Sequence, residues 1–373
     1  MSFLSEYQVV RRLLKARFPV IFYAERAHYH QYFAQLLNDL LQQCPGQILY
    51  ITSDKNDPLL ATAPSGLEVV YIHWWLGFLF PRIKGDVFIM TMTDLGNYIF
   101  KRSPEVESYV YVFHAMVSTH QQYTTKAFFH YDAIFCAGPA HVAEIHMAEV
   151  KYNLKKKDTV HYGYPLIDAL KDKEVSHDLN SDKSLPVILI APSWYKEGIL
   201  ETCIGELIKQ LASLPYHIVI RPHPEYVKRR GKKMADLQRQ LANLSNVVID
   251  YSAEVFPALS RAGILITDRS GIAFEYALGM HRPVLFIDTP LKATNPLWEE
   301  LGIQPIENIL RAKIGIVMQP EQLDSIGAKI NQLQQLKDTF PEQMNLLKKE
   351  LLFNSDAAYK SGVDYILSRI KQS

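Results

Sequence analysis

Ile264-Leu265-Ile266-Thr267-Asp268-Arg269-Ser270-Gly271-Ile272-Ala273-Phe274-Glu275-Tyr276 reads as an aliphatic strand, a tight turn and the opening of a helix. Consecutive apolar residues suit a strand covered on both faces of a parallel sheet. The first amides of the helix lack intrahelical acceptors, and the helix dipole puts partial positive charge on them. The unit therefore predicts a phosphate seat at Gly271 and Ile272, with a hydroxyl added by Ser270 and close backbone approach allowed by Gly271. Asp268, directly after the strand, joins the same nucleotide-binding set. Glu275, about one turn into the helix, is placed to accept from ribose hydroxyls. The plainer alternative is that Ser270 only caps the helix.

Similar units flank this one. In the second half, strands are expected at 187–191, 217–220, 247–250, 264–267 and 283–287, and helices at 200–214, 232–244, 253–260 and 271–278. The first half repeats the scheme with strands at 20–24, 48–52, 69–73, 87–90, 109–113 and 133–137, and a helix at 28–43. Such alternation implies parallel sheets with helices on both faces. The 373 residues are enough for two such domains. The polar stretch 172–185 marks the boundary, giving an N-terminal acceptor-side Rossmann-like domain over 1–172 and a nucleotide-donor domain over 185–345. The remainder, 346–373, is expected to return as a helix (356–370) onto the first domain. Ligands of doubly wound sheets sit at the carboxyl ends of the strands, so the residues after each strand are the ones to weigh.

Three such positions carry chemistry. Arg221-Pro222-His223-Pro224 ends the strand 217–220 and stiffens its loop with two prolines. Arg221 can offset diphosphate charge, and His223 can donate to a phosphate oxygen or stabilise a leaving group. His114 follows the strand 109–113 and is the candidate base for an acceptor hydroxyl; His120 and His130 are less well placed. Ser193, in Ala191-Pro192-Ser193-Trp194, is expected to line the nucleotide pocket.

Composition removes other classes. Lys plus Arg (40) nearly balance Asp plus Glu (39), which argues against a generic nucleic-acid binder. Cys44, Cys136 and Cys203 have no metal-ligand spacing and read as buried thiols in a reducing cytoplasm. The sequence has no Walker-type loop, dinucleotide fingerprint or two-histidine metal helix. The start of the chain, 1–17, is charged and amphipathic, without the apolar core of a signal peptide. The aromatic-rich stretch 69–83 is too short to span a bilayer and reads either as core or as a surface that docks on a membrane or partner. The basic run 228–233 is either a solvated loop or an anion-attracting surface.

Over about 109–290 the chain resembles the CDP-glycerol glycerophosphotransferase family of bacterial cell-wall and capsule polymer synthesis, whose fold is GT-B. His114 falls where that family has the histidine of a His-Gly pair, implied to be the acceptor base. Tyr131-Asp132 and the segment to Glu144 resemble its next strand and helix. Gly163-Tyr164-Pro165 to Asp168, Ala191-Pro192-Ser193-Trp194, Arg221-Pro222-His223-Pro224 and Thr267-Asp268-Arg269-Ser270 to Tyr276 resemble its later motifs. Ala115 stands in place of the family's glycine, and Gly271 in place of its second serine. The Ser-Gly and Glu275 combination is also similar to that of non-hydrolysing UDP-GlcNAc 2-epimerases.

The resemblance implies a two-domain GT-B transferase moving a glycerophosphate or sugar-like group from a nucleotide-diphosphate donor, CDP-glycerol-like, to a hydroxyl on a polymer or lipid-linked saccharide. A teichoic-acid-like or capsule polymer would be the product. Phosphate charge met by backbone dipoles and cations calls for no cofactor and no bound metal. The expected setting is cytoplasmic, with contact on the inner membrane face. A sugar-nucleotide epimerase and a non-catalytic nucleotide-binding or interaction protein of the same fold are the alternatives.

Overall fold

The computed structural model describes residues 3–175, 185–252, 255–355 and 357–371. Within them, thirteen strands form two sheets in which every pairing is parallel. The first holds β1 (Phe18–Ala24), β2 (Ile48–Thr52), β3 (Leu67–Tyr71), β4 (Gly85–Met90), β5 (Val106–Val112), β6 (Ala133–Cys136) and β7 (Asp158–His161). The second holds β8 (Val187–Ile190), β9 (His217–Ile220), β10 (Val247–Ile249), β11 (Ala262–Thr267), β12 (Val284–Ile287) and β13 (Gly315–Met318). Their orders, β3-β2-β1-β4-β5-β6-β7 and β10-β9-β8-β11-β12-β13, reverse direction once each. The switch points lie between β1 and β4 and between β8 and β11, where doubly wound sheets open a crevice.

The helices follow the expected scheme with local revisions. The helix expected over 28–43 is a 3-10 segment, Ala27–Tyr32, followed by an α-helix, Ala34–Gln43. The one expected over 200–214 breaks at Cys203 into Ile199–Thr202 and Ile204–Ala212. The helix expected over 253–260 is found at Phe256–Arg261, its first two expected residues lying outside the described ones. Most of the expected domain boundary, 176–184, also lies outside them.

Helix Ile272–Met280 is buried at every position from Ala273 onward. A helix whose one charged residue is Glu275 belongs inside, and here it packs on the helix Pro165–Val175 and on Phe340–Leu351. Helix Lys360–Arg369 lies on the first sheet, where Tyr365 Oη and Arg369 both reach the Asp158 carboxylate on β7. The stretch 69–83 divides between two environments. Ile72, Leu76, Leu79, Phe80 and Ile83 enter the core, whereas Trp74 stays 68% exposed. No helix of the described residues is long and apolar enough to cross a membrane. The basic run is tied down by acids: Arg229 pairs with Glu225, and Arg230 and Lys233 with Glu201.

Candidate active site

The donor half is built at the end of β11. Asp268 is fully buried, and its Oδ1 accepts from Ser193 N (2.9 Å), Ser193 Oγ (2.7 Å) and Arg269 N (2.7 Å). Its other oxygen accepts from Ile199 N at 3.0 Å. All four bonds come from the protein's own backbone and Ser193, and Asp268 is fully buried, so Asp268 and Ser193 pin the β8 and β11 loops together rather than facing a nucleotide. That corrects the expectation for both residues. Arg269 turns away to Asp288 Oδ1 (2.7 Å) and the Thr289 carbonyl.

Ser270 and Gly271 then open the helix Ile272–Met280. Gly271 is the N-cap and no side chain caps the turn, so Ser270 does not serve as the cap. Among the described residues, neither the Ser270 hydroxyl nor the amides of 270–272 have an acceptor. These are the free donors of the expected phosphate seat. A Cβ on Gly271 would lie 3.1 Å from Val117 Cγ1 and 3.7 Å from Ala115 Cβ. The helix start thus abuts the loop that follows His114. Ala115 and Gly271 thus lie close to each other across the domains.

Glu275 is buried and accepts from Tyr164 Oη at 2.7 Å. Desolvation raises its pKa to about 7, against the opposing Tyr164 hydrogen bond. It lies at the seam of the two sheets, as a ribose-binding carboxylate would, and near neutral pH it is about half protonated.

Arg221 is otherwise occupied. Its guanidinium donates to Asp250 Oδ2 (2.6 Å), Ser252 Oγ (2.9 Å) and the Ser252 carbonyl (2.8 Å), and braces the loop after β10. A second cation near these loops, which sequence reasoning missed, is Lys292, whose charge acts on His223. Lys292 follows β12, is half-buried and has no acid within salt-bridge distance among the described residues. Desolvation lowers its pKa, opposed by the charges of Asp268 and Glu307.

His223 caps the helix Pro224–Arg229, its Nδ1 accepting from Glu225 N at 3.1 Å. That bond fixes the neutral tautomer with the proton on Nε2. Desolvation, then Lys292, lowers its pKa to about 4. His223 keeps contact with solvent in the cleft, which argues for a smaller shift than that of the more enclosed His114.

His114 ends β5 on the wall of a cavity of about 390 Å³ at the first switch point, whose lining includes Glu25, Tyr29, Thr91, Asp94 and Tyr123. Its Nδ1 is 3.3 Å from Tyr111 Oη. Desolvation lowers its pKa to about 4, outweighing a contact with the Thr91 carbonyl. The imidazole is therefore neutral at pH 7 and able to take a proton. His28, in the 3-10 segment after β1, lowers both His114 and His223 by its charge.

The loop beyond His114 clasps the other domain. Ser118 N and Oγ donate to Glu307 (3.0 and 2.9 Å), and Gln122 Nε2 donates to Glu307 and the Lys292 carbonyl, both at 3.0 Å. His120, set aside as a site residue, meets the Ile303 carbonyl at 2.9 Å. His130 packs behind the turn at Gly96, away from the cleft.

Residues 110–293 match the family model of CDP-glycerol:poly(glycerophosphate) glycerophosphotransferase. The match covers 184 of the 373 residues, just under half of the chain. The matched region runs from β5 through the Ser270–Gly271 turn to Lys292. By this match the chain is a transferase. Its fold is GT-B, as in solved structures it resembles throughout. The wall teichoic acid polymerase TagF is 15% identical over 98% of this chain and 96% of that one, with a TM-score of 0.60. A TagF variant soaked with CDPG gives 14%, 99%, 98% and 0.60. A co-structure of S. aureus MnaA with UDP gives 14%, 95%, 98% and 0.60. A search of curated proteins finds no match.

Proposed function

We propose that this protein transfers glycerophosphate from a CDP-glycerol-like donor to a hydroxyl group, using the cleft between its two sheets. The observation that carries this reading is the contact of the helix start at Gly271 with Ala115 and Val117, directly after His114. A diphosphate seated on the amides of 270–272 would lie close to the one imidazole whose cavity can admit an acceptor. Lys292 and the Nε2 proton of His223 face the same space and oppose the charge that grows on the leaving phosphate. Glu275 holds the ribose.

In the reaction the acceptor oxygen attacks the glycerol-bearing phosphorus. The P–O bond of the diphosphate breaks and the nucleoside monophosphate leaves with the electron pair. The acceptor's proton goes to His114. Backbone dipoles and Lys292 meet the phosphate charge in this scheme, with no part assigned to a metal.

The apolar surface beside the cavity supports a membrane-facing orientation. Phe3, Trp74, Phe78, Tyr98 and Ile99 are all exposed: Trp75 packs at a tilt on Phe3, and Gly77 packs under Ile99. Tyr98 and Ile99 also line the cavity, so the patch runs into the acceptor side. A lipid-linked acceptor would present its head group there while its lipid stays in the bilayer.

Release of CMP from CDP-glycerol in the presence of acceptor tests the reaction. His114→Gln is expected to lower turnover at least about a hundredfold while leaving nucleotide affinity within about twofold, and EDTA is expected to change neither. Unchanged turnover in His114→Gln would remove it as the base.

A further inference from the structure

Two buried histidines lie near the buried carboxyl of Glu144, and their ring partners differ in kind. His141 Nδ1 accepts from Ala137 N at 3.3 Å, while its Nε2 meets the Val117 carbonyl at 3.0 Å. A donor on one side and an acceptor on the other call for a single ring proton, so His141 is neutral. His120 has acceptors on both sides. Its Nε2 lies 2.9 Å from the Ile303 carbonyl, and its Nδ1 faces Glu144 Oε1 at 3.5 Å. A carbonyl and a carboxylate each need an N–H, and only the imidazolium supplies two. Glu144 is 1% exposed, and among the described residues no lysine or arginine lies within salt-bridge distance of it.

The two acceptors belong to different domains. Glu144 sits on the helix Pro139–Lys151 of the first, where its Oε2 accepts from Thr119 N and Oγ1 at 2.6 and 2.7 Å. Ile303 follows the 3-10 turn Trp298–Leu301 of the second. Around the ring, Thr294 N and Asn295 N donate to the Gln121 carbonyl (2.9 and 3.2 Å), and Asn295 Nδ2 donates to the His120 carbonyl (2.9 Å). The other charged groups packed here are Glu307, which accepts from Ser118 and Gln122, and Lys292, within reach of the Glu307 charge. Lys157 lines the same small cavity of about 30 Å³ as His120. On the 3-10 turn Glu299 and Glu300 are exposed, Glu300 pairing with Lys151, and the Trp298 ring lies 6.4 Å from the imidazole. Desolvation lowers the His120 pKa, but the Glu144 hydrogen bond and charge, the Ile303 carbonyl and Glu307 outweigh it and raise the pKa above 6.5.

We propose that His120 is a positioning residue. As an imidazolium it bonds Glu144 of the first domain and the Ile303 carbonyl of the second at once, and when it gives up a proton the segment 118–122, shortly beyond His114, loosens from the donor domain. Loss of the Nδ1 proton leaves Glu144 buried without a cation, and loss of the Nε2 proton leaves the carbonyl unmatched. The charge that holds the clasp is complete below the unfolded value of 6.5 and is lost as pH rises through the higher folded one. Gln122, in the same segment, bonds the Lys292 carbonyl, so His120 acts on turnover through the approach of the two halves. The clasp itself does not rest on the transferase reading; only its effect on turnover does.

The test is a titration of the full chain from about pH 5.5 to 9. The imidazole NMR signal of His120, assigned with His120→Gln, reads the ring. Hydrogen exchange at the Thr294 and Asn295 amides, corrected for the intrinsic rate and referred to amides of β11, reads the seam. The ring is expected to titrate with a midpoint above 6.5, and protection of the two amides to fall roughly tenfold or more through that midpoint. Glu144→Gln is expected to lower the midpoint, and His120→Gln to give weak protection at every pH, with CDP affinity reporting that each variant is folded. CMP release should show an alkaline loss at the same midpoint in the parent chain and none in His120→Gln. A ring that stays neutral down to about pH 6, or one that titrates without any change at the two amides, would overturn the proposal. Turnover that lacks the alkaline loss while the amides follow the ring would remove the positioning role. If the amides follow the ring while CDP-glycerol is turned over at no pH, it is the transferase reading that fails and the clasp that stands.

Discussion

At the scale of single residues, Glu275 sets function against stability. Its carboxyl is buried with one hydroxyl partner and holds its proton to about pH 7. A folded-state pKa raised above the unfolded value means that the native chain binds the extra proton between about pH 4.5 and 7. The associated stability is complete below that window and is lost as pH rises through 7. Glu275→Gln is therefore expected to leave the melting temperature unchanged at pH 5 and to stabilise the protein by about 1–3 kcal/mol at pH 8, while weakening cytidine-nucleotide binding. Thermal unfolding at the two pH values checks it; equal effects at both would show that the carboxylate carries no such cost. His114 has the opposite sign, since its pKa is depressed. Stability tied to its neutral form is present above pH 6.5 and lost as pH falls toward 4.

The residue scale also shows where sequence reading stops. His114, His223, Ser270, Gly271 and Glu275 were legible because each follows a strand within a recognisable turn. Arg221, Ser193 and Asp268 were equally visible, but whether a polar group faces a ligand or its own fold depends on partners remote in sequence, such as Asp250 or Ile199. Lys292 lay in a loop without strand-end punctuation, and nothing local marks it as lacking an acid partner. Glu25 and Thr91 do follow strands, and the strand-end rule would have found them had it been applied to β1 and β4.

At the scale of elements, the contact between the helix start and the loop after β5 decides how closely the two halves approach. Gly271 has an ordinary helical φ of −62°, so a side chain there meets a steric limit rather than a backbone one. With Val117 Cγ1 at 3.1 Å from the added Cβ, Gly271→Ser is expected to lower kcat/KM by about tenfold through separation of the donor seat from His114. Adding Ala115→Gly, which restores the family's arrangement of glycine and serine, is expected to recover part of that loss. A double-mutant cycle measures the coupling, and strict additivity would mean that the two positions do not meet.

The strands themselves were readable as apolar runs to within about two residues at most ends. β13 and the helix Ile306–Ile314 were not anticipated. After Gly315 the β13 run is only three apolar residues long, Ile316-Val317-Met318, too short to stand out as a strand by itself. The helix carries Glu307, the anchor of the interdomain clasp, whose importance rests on Ser118 almost two hundred residues away.

At the scale of the whole molecule, two doubly wound sheets place their switch points at one seam, and the apolar patch of Trp74, Phe78 and Ile99 flanks the acceptor side of it. Alternation of strands and helices made that architecture plain in the sequence, whereas the patch was visible only as one of two readings of the stretch 69–83. If the patch meets a bilayer, co-sedimentation with vesicles containing phosphatidylglycerol should fall at least about fivefold in Trp74→Ser with Phe78→Ser, with CDP affinity unchanged. Retained binding would place the membrane contact elsewhere.

The central claim is that the donor diphosphate lies on the helix start at Gly271, between Lys292 and His223 and opposite His114. Calorimetric binding of CDP, beside CMP, UDP and GDP, to the parent chain and to Ser270→Ala and Lys292→Ala tests it most directly. The account predicts a preference for the cytidine nucleotides, with CDP affinity reduced about threefold to tenfold by Ser270→Ala and about tenfold or more by Lys292→Ala. CDP binding that neither substitution weakens would contradict it.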